Sequence, residues 1–176
     1  EIDIYPEYTG TLSQEILAGE ALEKEEDIRR VLAARGILMG EPLGFNNTYA
    51  IGMREDVAAQ RDIRTISDLR RHPQLRFGFG NEFMDRGDGW PSLRDRYGLP
   101  QREVRGLDHD LAYRGLESGS IEAMDLYSTD AKIRYYKLRV LEDDLAHFPV
   151  YNAVLVYRAE LAERAPDLIA ALQRLS

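Results

Sequence analysis

The chain has 176 residues, of which 44% are hydrophobic and 31% are charged, and its formal net charge is −8. This composition is typical of a globular protein that builds one core or two small lobes. The acidic balance excludes the basic stripe that a nucleic-acid-binding surface needs, and it disfavours docking on anionic lipid. No apolar run approaches the roughly 20 residues of a membrane-spanning helix. No signal-peptide pattern is visible, and the lack of cysteine excludes disulfides and thiolate chemistry.

Short strands and helices alternate over the first part of the chain. Isoleucines that alternate with acidic residues predict a strand running into a turn at Pro6, and Ser13 is the predicted N-cap of the following helix. A second helix carries apolar residues at a spacing of about 3.6 and ends at Gly36. Thr65 or Ser67 is expected to cap a short helix that stops before a proline. The predicted strands are 2–4, 37–39 and 49–53, and the predicted helices are 13–22, 25–34 and 65–71.

The alternation of strands and helices continues to the end of the sequence. The last helix is predicted to begin at Pro166, which suits the first turn of a helix. The other predicted helices are 91–97, 111–116 and 131–136, and the predicted strands are 75–79, a strand centred at 104, 121–127, 138–141 and 150–157. Such alternation predicts an α/β fold whose sheet is mostly parallel and carries helices on its faces.

Tyrosine is abundant, with ten residues against five phenylalanines and one tryptophan. Four of the tyrosines stand at predicted strand ends or in turns, beside glycine, asparagine or proline: Tyr8, Tyr49, Tyr127 and Tyr151. Ligands of parallel α/β sheets bind outside the carboxyl ends of the strands. A quaternary ammonium cannot donate hydrogen bonds, so aromatic ring faces are the natural way to hold it. The alternative for each tyrosine is a half-buried packing residue with a hydrated hydroxyl.

Four phrases of the sequence together resemble one family. They are Asp-Ile-Tyr-Pro-Glu-Tyr-Thr-Gly-Thr at 3–11, Pro-Leu-Gly-Phe-Asn-Asn-Thr-Tyr-Ala at 42–50, Glu-Phe through Arg-x-Asp-Gly at 82–89, and Tyr-Ser-Thr-Asp at 127–130. Their content and order are similar to those of the glycine betaine, choline and carnitine binding proteins of osmoprotectant importers. The resemblance extends over nearly the whole chain.

This resemblance implies a type II periplasmic-binding-protein fold, in which two α/β lobes enclose the ligand. Family members hold the ammonium group in a box of tyrosines, which falls on Tyr8, Tyr49, Tyr127 and Tyr151. The residues that match the family's carboxylate-binding arginine and threonine are Arg86 and Thr11. A guanidinium can place two hydrogen bonds on a carboxylate, which agrees with that role. The alternative for Arg86 is a surface ion pair with Asp85 or Asp88.

The resemblance also divides the chain into lobes. Lobe one is expected to comprise 1–53 plus 148–176, and lobe two is expected to comprise 54–147. Family members carry a strand and helix before the first motif and more helix after the last one. Both ends therefore look cut, and lobe one is expected to be incomplete while lobe two is complete. An incomplete lobe one is expected to associate with another copy or with a complementary fragment.

The resulting expectation is an extracytoplasmic binding protein, not an enzyme, that delivers a quaternary-ammonium solute to an ABC permease without any cofactor. Glycine betaine is the first candidate ligand, because Arg86 suits a carboxylate, and choline, carnitine and ergothioneine are the alternatives. A ligand-sensing regulatory domain of the same fold and an α/β enzyme are the competing classes. No metal site is expected, because the histidines, His72, His109 and His147, stand in no metal-binding frame.

Overall fold

The computed structural model describes residues 2–175. The expectations about Glu1 and Ser176 lie outside the described residues. Within the described part of the chain, no helix is long and apolar enough to cross a membrane.

Short elements make up the fold. The strands are β1 (Ile4–Tyr8), β2 (Ile37–Met39), β3 (Tyr49–Arg54), β4 (Phe77–Gly80), β5 (Val104–Leu107), β6 (Met124–Tyr127), β7 (Leu138–Val140) and β8 (Ala153–Arg158). The helices are α1 (Thr9–Thr11), α2 (Glu25–Ala34), α3 (Glu55–Gln60), α4 (Asn81–Asp85), α5 (Trp90–Tyr97), α6 (His109–Ser118), α7 (Lys132–Tyr135), α8 (Ala159–Arg164) and α9 (Pro166–Leu172). A wide helical turn, Leu12–Ile16, continues α1, and tighter turns span Ser67–Arg71 and Gln173–Leu175.

The chain divides into two compact units. The first runs up to Asn47 and resumes at Val150, and the second is Thr48–Pro149. The sequence-based division lies a few residues away, at 53/54 and 147/148. The difference arises because β3 pairs with β6 and β7 and therefore belongs to the second unit.

The first unit is a small antiparallel sheet covered by helices. Its strand order is β1-β8-β2, with Ile4 opposite Tyr157 and Ile37 opposite Arg158. The apolar face of α2 packs on this sheet because its inward positions, Ile28 and Leu32, lie one helical turn apart. The remaining members of this core are Leu12, Leu17, Met39, Val154 and Val156.

Two local predictions in the first unit were wrong. The strand does not turn at Pro6, because β1 is an edge strand and an edge tolerates a residue without an N–H. The following helix starts at Thr9 instead of after Ser13, and the Ser13 hydroxyl donates to the Gly10 carbonyl at 3.0 Å. Position 10 of this helix requires glycine, because the Tyr151 ring lies against it and a Cβ there would be 2.3 Å from Tyr151 Cδ1.

The second unit contains two sheets and its own core. The strand orders are β6-β3-β7 and β4-β5, and a parallel bridge joins Phe77 to Ala123. One core cluster gathers residues of β3, β6, β7, α6 and the loop before β6, listed as Ala50, Ala112, Tyr113, Leu116, Ile121, Met124, Leu126 and Leu138. Helix α6 begins at the N-cap Asp108, whose carboxylate accepts from the N–H of Asp110, and ends at Gly119 with φ of 71°.

The prediction of a mostly parallel sheet was wrong for the described strands. β4 and β5 pair in parallel, whereas β3 runs antiparallel to both β6 and β7, and β8 runs antiparallel to both β1 and β2. The sequence prediction assumed that each strand pairs with the next one through a crossover helix. Instead β3 and β8 pair with strands far away in sequence. The short helices α3, α4 and α8 were not predicted either, because each begins at the residue directly after its strand.

Candidate functional site

Two of the predicted tyrosines form a pair in the second unit. Tyr49 in β3 lies directly opposite Tyr127 in β6, and their ring centroids are 5.1 Å apart. The register is held just outside the pair, where the Thr48 N–H donates to Ser128 Oγ at 3.1 Å and the Ser128 N–H donates to the Thr48 carbonyl at 2.9 Å. Burial, followed by a hydrogen bond to Tyr127, raises the pKa of the Tyr49 hydroxyl. Burial also raises the pKa of Tyr127. Both rings therefore stay neutral and electron-rich at neutral pH.

Two phenylalanines extend this pair into an aromatic cluster. The Phe83 ring of α4 lies 5.2 Å from the Tyr49 ring, and the Phe148 ring lies 6.4 Å from Tyr49 and 6.2 Å from Phe83. Phe148 is placed by the carboxylate of Asp143, which accepts from the backbone N–H of Phe148 and of His147, each at 2.9 Å. We call Tyr49, Phe83, Tyr127 and Phe148 the aromatic cluster.

The Arg86 guanidinium lies at the edge of the aromatic cluster. Its Cζ is 5.1 Å from the centroid of the Tyr49 ring, a distance within cation–π range. Nε and Nη2 donate to the two carboxylate oxygens of Asp88 at 2.8 and 3.1 Å, and Nη1 donates to Glu82 Oε1 at 3.1 Å. The ion pair with Asp88 expected as an alternative is present, but it is buried rather than on the surface, with side-chain exposures of 7% and 3%. Burial is the largest single effect and lowers the pKa of Arg86, but the hydrogen bonds and the charge of Asp88, together with smaller effects of Tyr49 and Glu82, raise the net pKa.

A buried carboxylate lies two residues before Tyr127. Asp125 accepts the Gly80 N–H at 2.6 Å, and its other oxygen is 3.7 Å from His109 Nδ1. The His109 ring is 5.2 Å from the Tyr127 ring. Burial raises the pKa of Asp125, because the charged carboxylate is removed from water.

The other predicted site residues lie in the first unit. Tyr151 is 2% exposed, and its N–H donates to Asn46 Oδ1 at 2.8 Å. The Tyr8 hydroxyl accepts from the Asn47 side-chain amide at 3.3 Å. Thr11 ends α1 and is half-buried. Asparagines of the second motif thus contact both of the predicted site tyrosines in this unit, Tyr8 and Tyr151.

The structure brings together three of the six predicted residues, Tyr49, Tyr127 and Arg86, within the second unit. Sequence reasoning missed Phe83 and Phe148. Phe83 stands inside the third quoted motif, and Phe148 precedes a proline at a strand approach, so both positions carried a signal that went unused. Their membership of the aromatic cluster is visible only from the ring contacts.

Comparison with known proteins shows the family to which the chain is similar. The whole chain, residues 1–176, matches the family described as OpuAC, the substrate binding domain of ABC-type glycine betaine transport systems. The chain is 36% identical over 99% of its length to the ergothioneine transport permease/ergothioneine binding protein EgtU of Helicobacter pylori, and 35% identical over 95% to a glycine-betaine-binding protein of Pseudomonas aeruginosa. It spans 32% and 59% of those two proteins.

A solved structure gives the same result for the fold. The crystal structure of a glycine betaine/carnitine/choline ABC transporter matches with a TM-score of 0.75 and 29% identity, over 98% of this chain and 66% of that one. This confirms the predicted periplasmic-binding-protein fold. The chain belongs to the family of substrate-binding domains of ABC-type glycine betaine transport systems.

Proposed function

We propose that the chain is the solute-binding part of an ABC importer and captures a quaternary-ammonium solute, with glycine betaine as the first candidate. The observation that carries this proposal is the Tyr49–Tyr127 pair, with ring centroids 5.1 Å apart, beside the Arg86 guanidinium. Ring faces suit the ammonium group, and the guanidinium suits a carboxylate. Tyr8, Thr11 and Tyr151 of the first unit remain candidates for ligand contacts on the basis of the family motifs.

The energetics are compatible with micromolar capture. Each ring face contributes about 0.5–2 kcal/mol to holding a cation, so three or four faces together with apolar burial reach the free energy of a micromolar complex. Both tyrosines are neutral at neutral pH, and burial raises their pKa further, so the ring faces rather than a phenolate charge are what the ammonium group meets. The proposed work is selective capture, with no bond made or broken.

Several quaternary-ammonium solutes are candidates for the ligand. The relatives named above include binding proteins for ergothioneine and for glycine betaine. Choline, carnitine and ergothioneine are therefore the alternative ligands, and an aromatic cluster accepts the ammonium group of each. We propose an ABC permease as the partner and the extracytoplasmic side of the membrane as the place of action. A ligand-sensing role for the same fold is the second candidate function.

Titration with charged ligands and their neutral carbon isosteres tests the proposal. Calorimetry compares choline with 3,3-dimethylbutanol, and glycine betaine with 3,3-dimethylbutanoate, since each pair differs only in the quaternary nitrogen. We expect the neutral isosteres to bind at least about tenfold more weakly, because they lose the cation–π attraction of two or more rings. Equal binding of both members of a pair would falsify the proposed ring-face recognition.

Variants at Tyr127 test whether the ring of this residue contacts the ammonium group of the ligand. Tyr127→Ala is expected to weaken a quaternary ammonium by about 2- to 30-fold, whereas Tyr127→Phe keeps the ring face and most of the affinity. Tyr135→Ala is the matched control, because Tyr135 is 77% exposed on α7 and is not part of the aromatic cluster. A loss as large in Tyr135→Ala as in Tyr127→Ala contradicts the assignment.

A further inference from the structure

Arg86 binds two carboxylates of very different character. The Asp88 side chain is 3% exposed and holds Arg86 with two hydrogen bonds, so these two residues form a buried neutral pair. The Glu82 side chain is 67% exposed and makes a single hydrogen bond, from Nη1, at 3.1 Å. The Asp88 contact is thus a fixed part of the fold, whereas the Glu82 contact is an exposed ion pair that contributes little to stability.

Glu82 stands where a ligand carboxylate is expected to bind. Asp88 occupies the side of the guanidinium formed by Nε and Nη2, which leaves the end formed by Nη1 and Nη2 for a further carboxylate. Glu82 holds Nη1 at that end. It also gives the group formed by Arg86, Asp88 and Glu82 a net negative charge. The Glu82 charge itself is felt at the aromatic cluster, where it raises the pKa of Tyr49 and Tyr127 behind the larger effect of burial, whereas the Arg86 charge lowers both.

We propose that Glu82 is a specificity-determining residue, which occupies the carboxylate-binding end of Arg86 until the carboxylate of a zwitterionic ligand displaces it. This inference rests on the proposed function. Glu82 lies four residues before Arg86, on α4, and its exposed side chain can rotate into solvent at the cost of one weak ion pair. A ligand carboxylate then takes the end of a nearly buried guanidinium, where a charged hydrogen bond is stronger.

As a consequence, Glu82 sets the relative affinity of the site for zwitterionic and for net-cationic ligands. Glycine betaine carries a carboxylate and must compete with Glu82, whereas choline carries none and leaves Glu82 in place. The Glu82 charge attracts the choline cation and opposes the betaine carboxylate. Glu82 therefore favours net-cationic ligands over zwitterionic ones in the same aromatic cluster.

Calorimetric titration of the whole chain with glycine betaine and with choline tests this inference. In Glu82→Gln, glycine betaine is expected to bind about threefold more tightly and choline about threefold more weakly, so the preference shifts roughly tenfold. Glu82→Asp keeps the charge but shortens the reach to Nη1. It is expected to strengthen glycine betaine and leave choline unchanged, which separates occupation of Arg86 from a general charge effect.

Glu117→Gln is the matched control, since it removes the same charge from an exposed position on α6 and is expected to change neither ligand. Thermal unfolding followed by the fluorescence of Trp90 verifies that each variant is folded. If the unchanged chain binds both ligands and their ratio is the same in Glu82→Gln, the Glu82 inference is wrong and the proposed function stands. If the unchanged chain binds neither ligand, the proposed function fails and the inference fails with it.

Discussion

At the scale of single residues, the buried Arg86–Asp88 pair fixes the position of the guanidinium in the candidate site. Two charges withdrawn from water cost more than their attraction returns unless the geometry is good and the remaining donors are satisfied. Here the geometry is good, because Arg86 places two hydrogen bonds on Asp88, and a third N–H donates to Glu82. The guanidinium is consequently fixed beside the Tyr49 ring instead of moving freely in solvent.

Removing one partner of this pair is expected to destabilise the second unit strongly. Asp88→Ala leaves the Arg86 charge buried and poorly compensated, which costs about 3–5 kcal/mol of unfolding free energy. The double variant Arg86→Met with Asp88→Leu removes both charges and is expected to recover most of that loss. Urea unfolding monitored by Trp90, which is buried in the second unit, measures both effects. A cost below about 1 kcal/mol for Asp88→Ala contradicts the structural role given to the pair.

At the scale of elements, the start of the turn Ser67–Arg71 is held by side-chain hydrogen bonds. The Asp68 carboxylate accepts the backbone N–H of Arg64 and of Thr65, each at 2.9 Å, and the Thr65 hydroxyl accepts the Asp68 N–H at 3.2 Å. This reciprocal arrangement at the start of Ser67–Arg71 is a capping box, and it confirms Thr65 as a cap. Burial raises the pKa of Asp68, but the backbone hydrogen bonds outweigh it and the net pKa is lowered.

The Asp68 cap is expected to give a pH-dependent contribution to stability. Because its folded pKa is lowered, the contribution is present above the unfolded pKa of about 3.9 and is lost as pH falls through the folded value. Asp68→Asn is therefore expected to cost about 0.5–1 kcal/mol at pH 7 and progressively less as pH falls below about 3.9. Urea unfolding at several pH values measures the difference. Asp62→Asn, at an exposed site with φ of 50°, is the control, and the same pH profile there would show that the effect is not local.

At the scale of the whole molecule, the units differ in how their chain segments are arranged. The first is built from two separate segments, whereas Thr48–Pro149 is continuous and encloses its own core. A continuous segment of about 100 residues with a private core meets the requirements of an independently folding domain. The expected association through the first unit concerns a different part of the chain and stays a prediction.

Residues 48–149 are expected to fold when produced alone. The expected signature is a cooperative thermal transition with an unfolding enthalpy of about 60–80 kcal/mol, typical of a domain of this size. Differential scanning calorimetry measures it, and the fluorescence of Trp90 must change at the same temperature. A gradual transition without a heat-absorption peak shows that the second unit depends on the rest of the chain.

The sequence alone determined the features that depend on neighbouring residues. Gly36 ends α2 with φ of 73°, Pro166 opens α9, and Thr65 caps its turn, as predicted. These signals are readable because caps and turns join residues only a few positions apart. The family and the type II periplasmic-binding-protein fold were also predicted correctly, from motifs that are short and contiguous in the chain.

Only the tertiary structure decided which distant residues meet. The antiparallel pairing of β3 with β6 sets Tyr49 against Tyr127, and it could not be read from strand–helix alternation, since register depends on long-range burial and hydrogen bonding. The choice of Asp88 over Asp85 as the partner of Arg86 was equally open in the sequence. Phe148 joins the aromatic cluster through a loop held by Asp143, a contact with no local signature. The chemistry of each residue was therefore evident from the sequence, whereas its position beside the others was settled by packing between segments far apart in the chain.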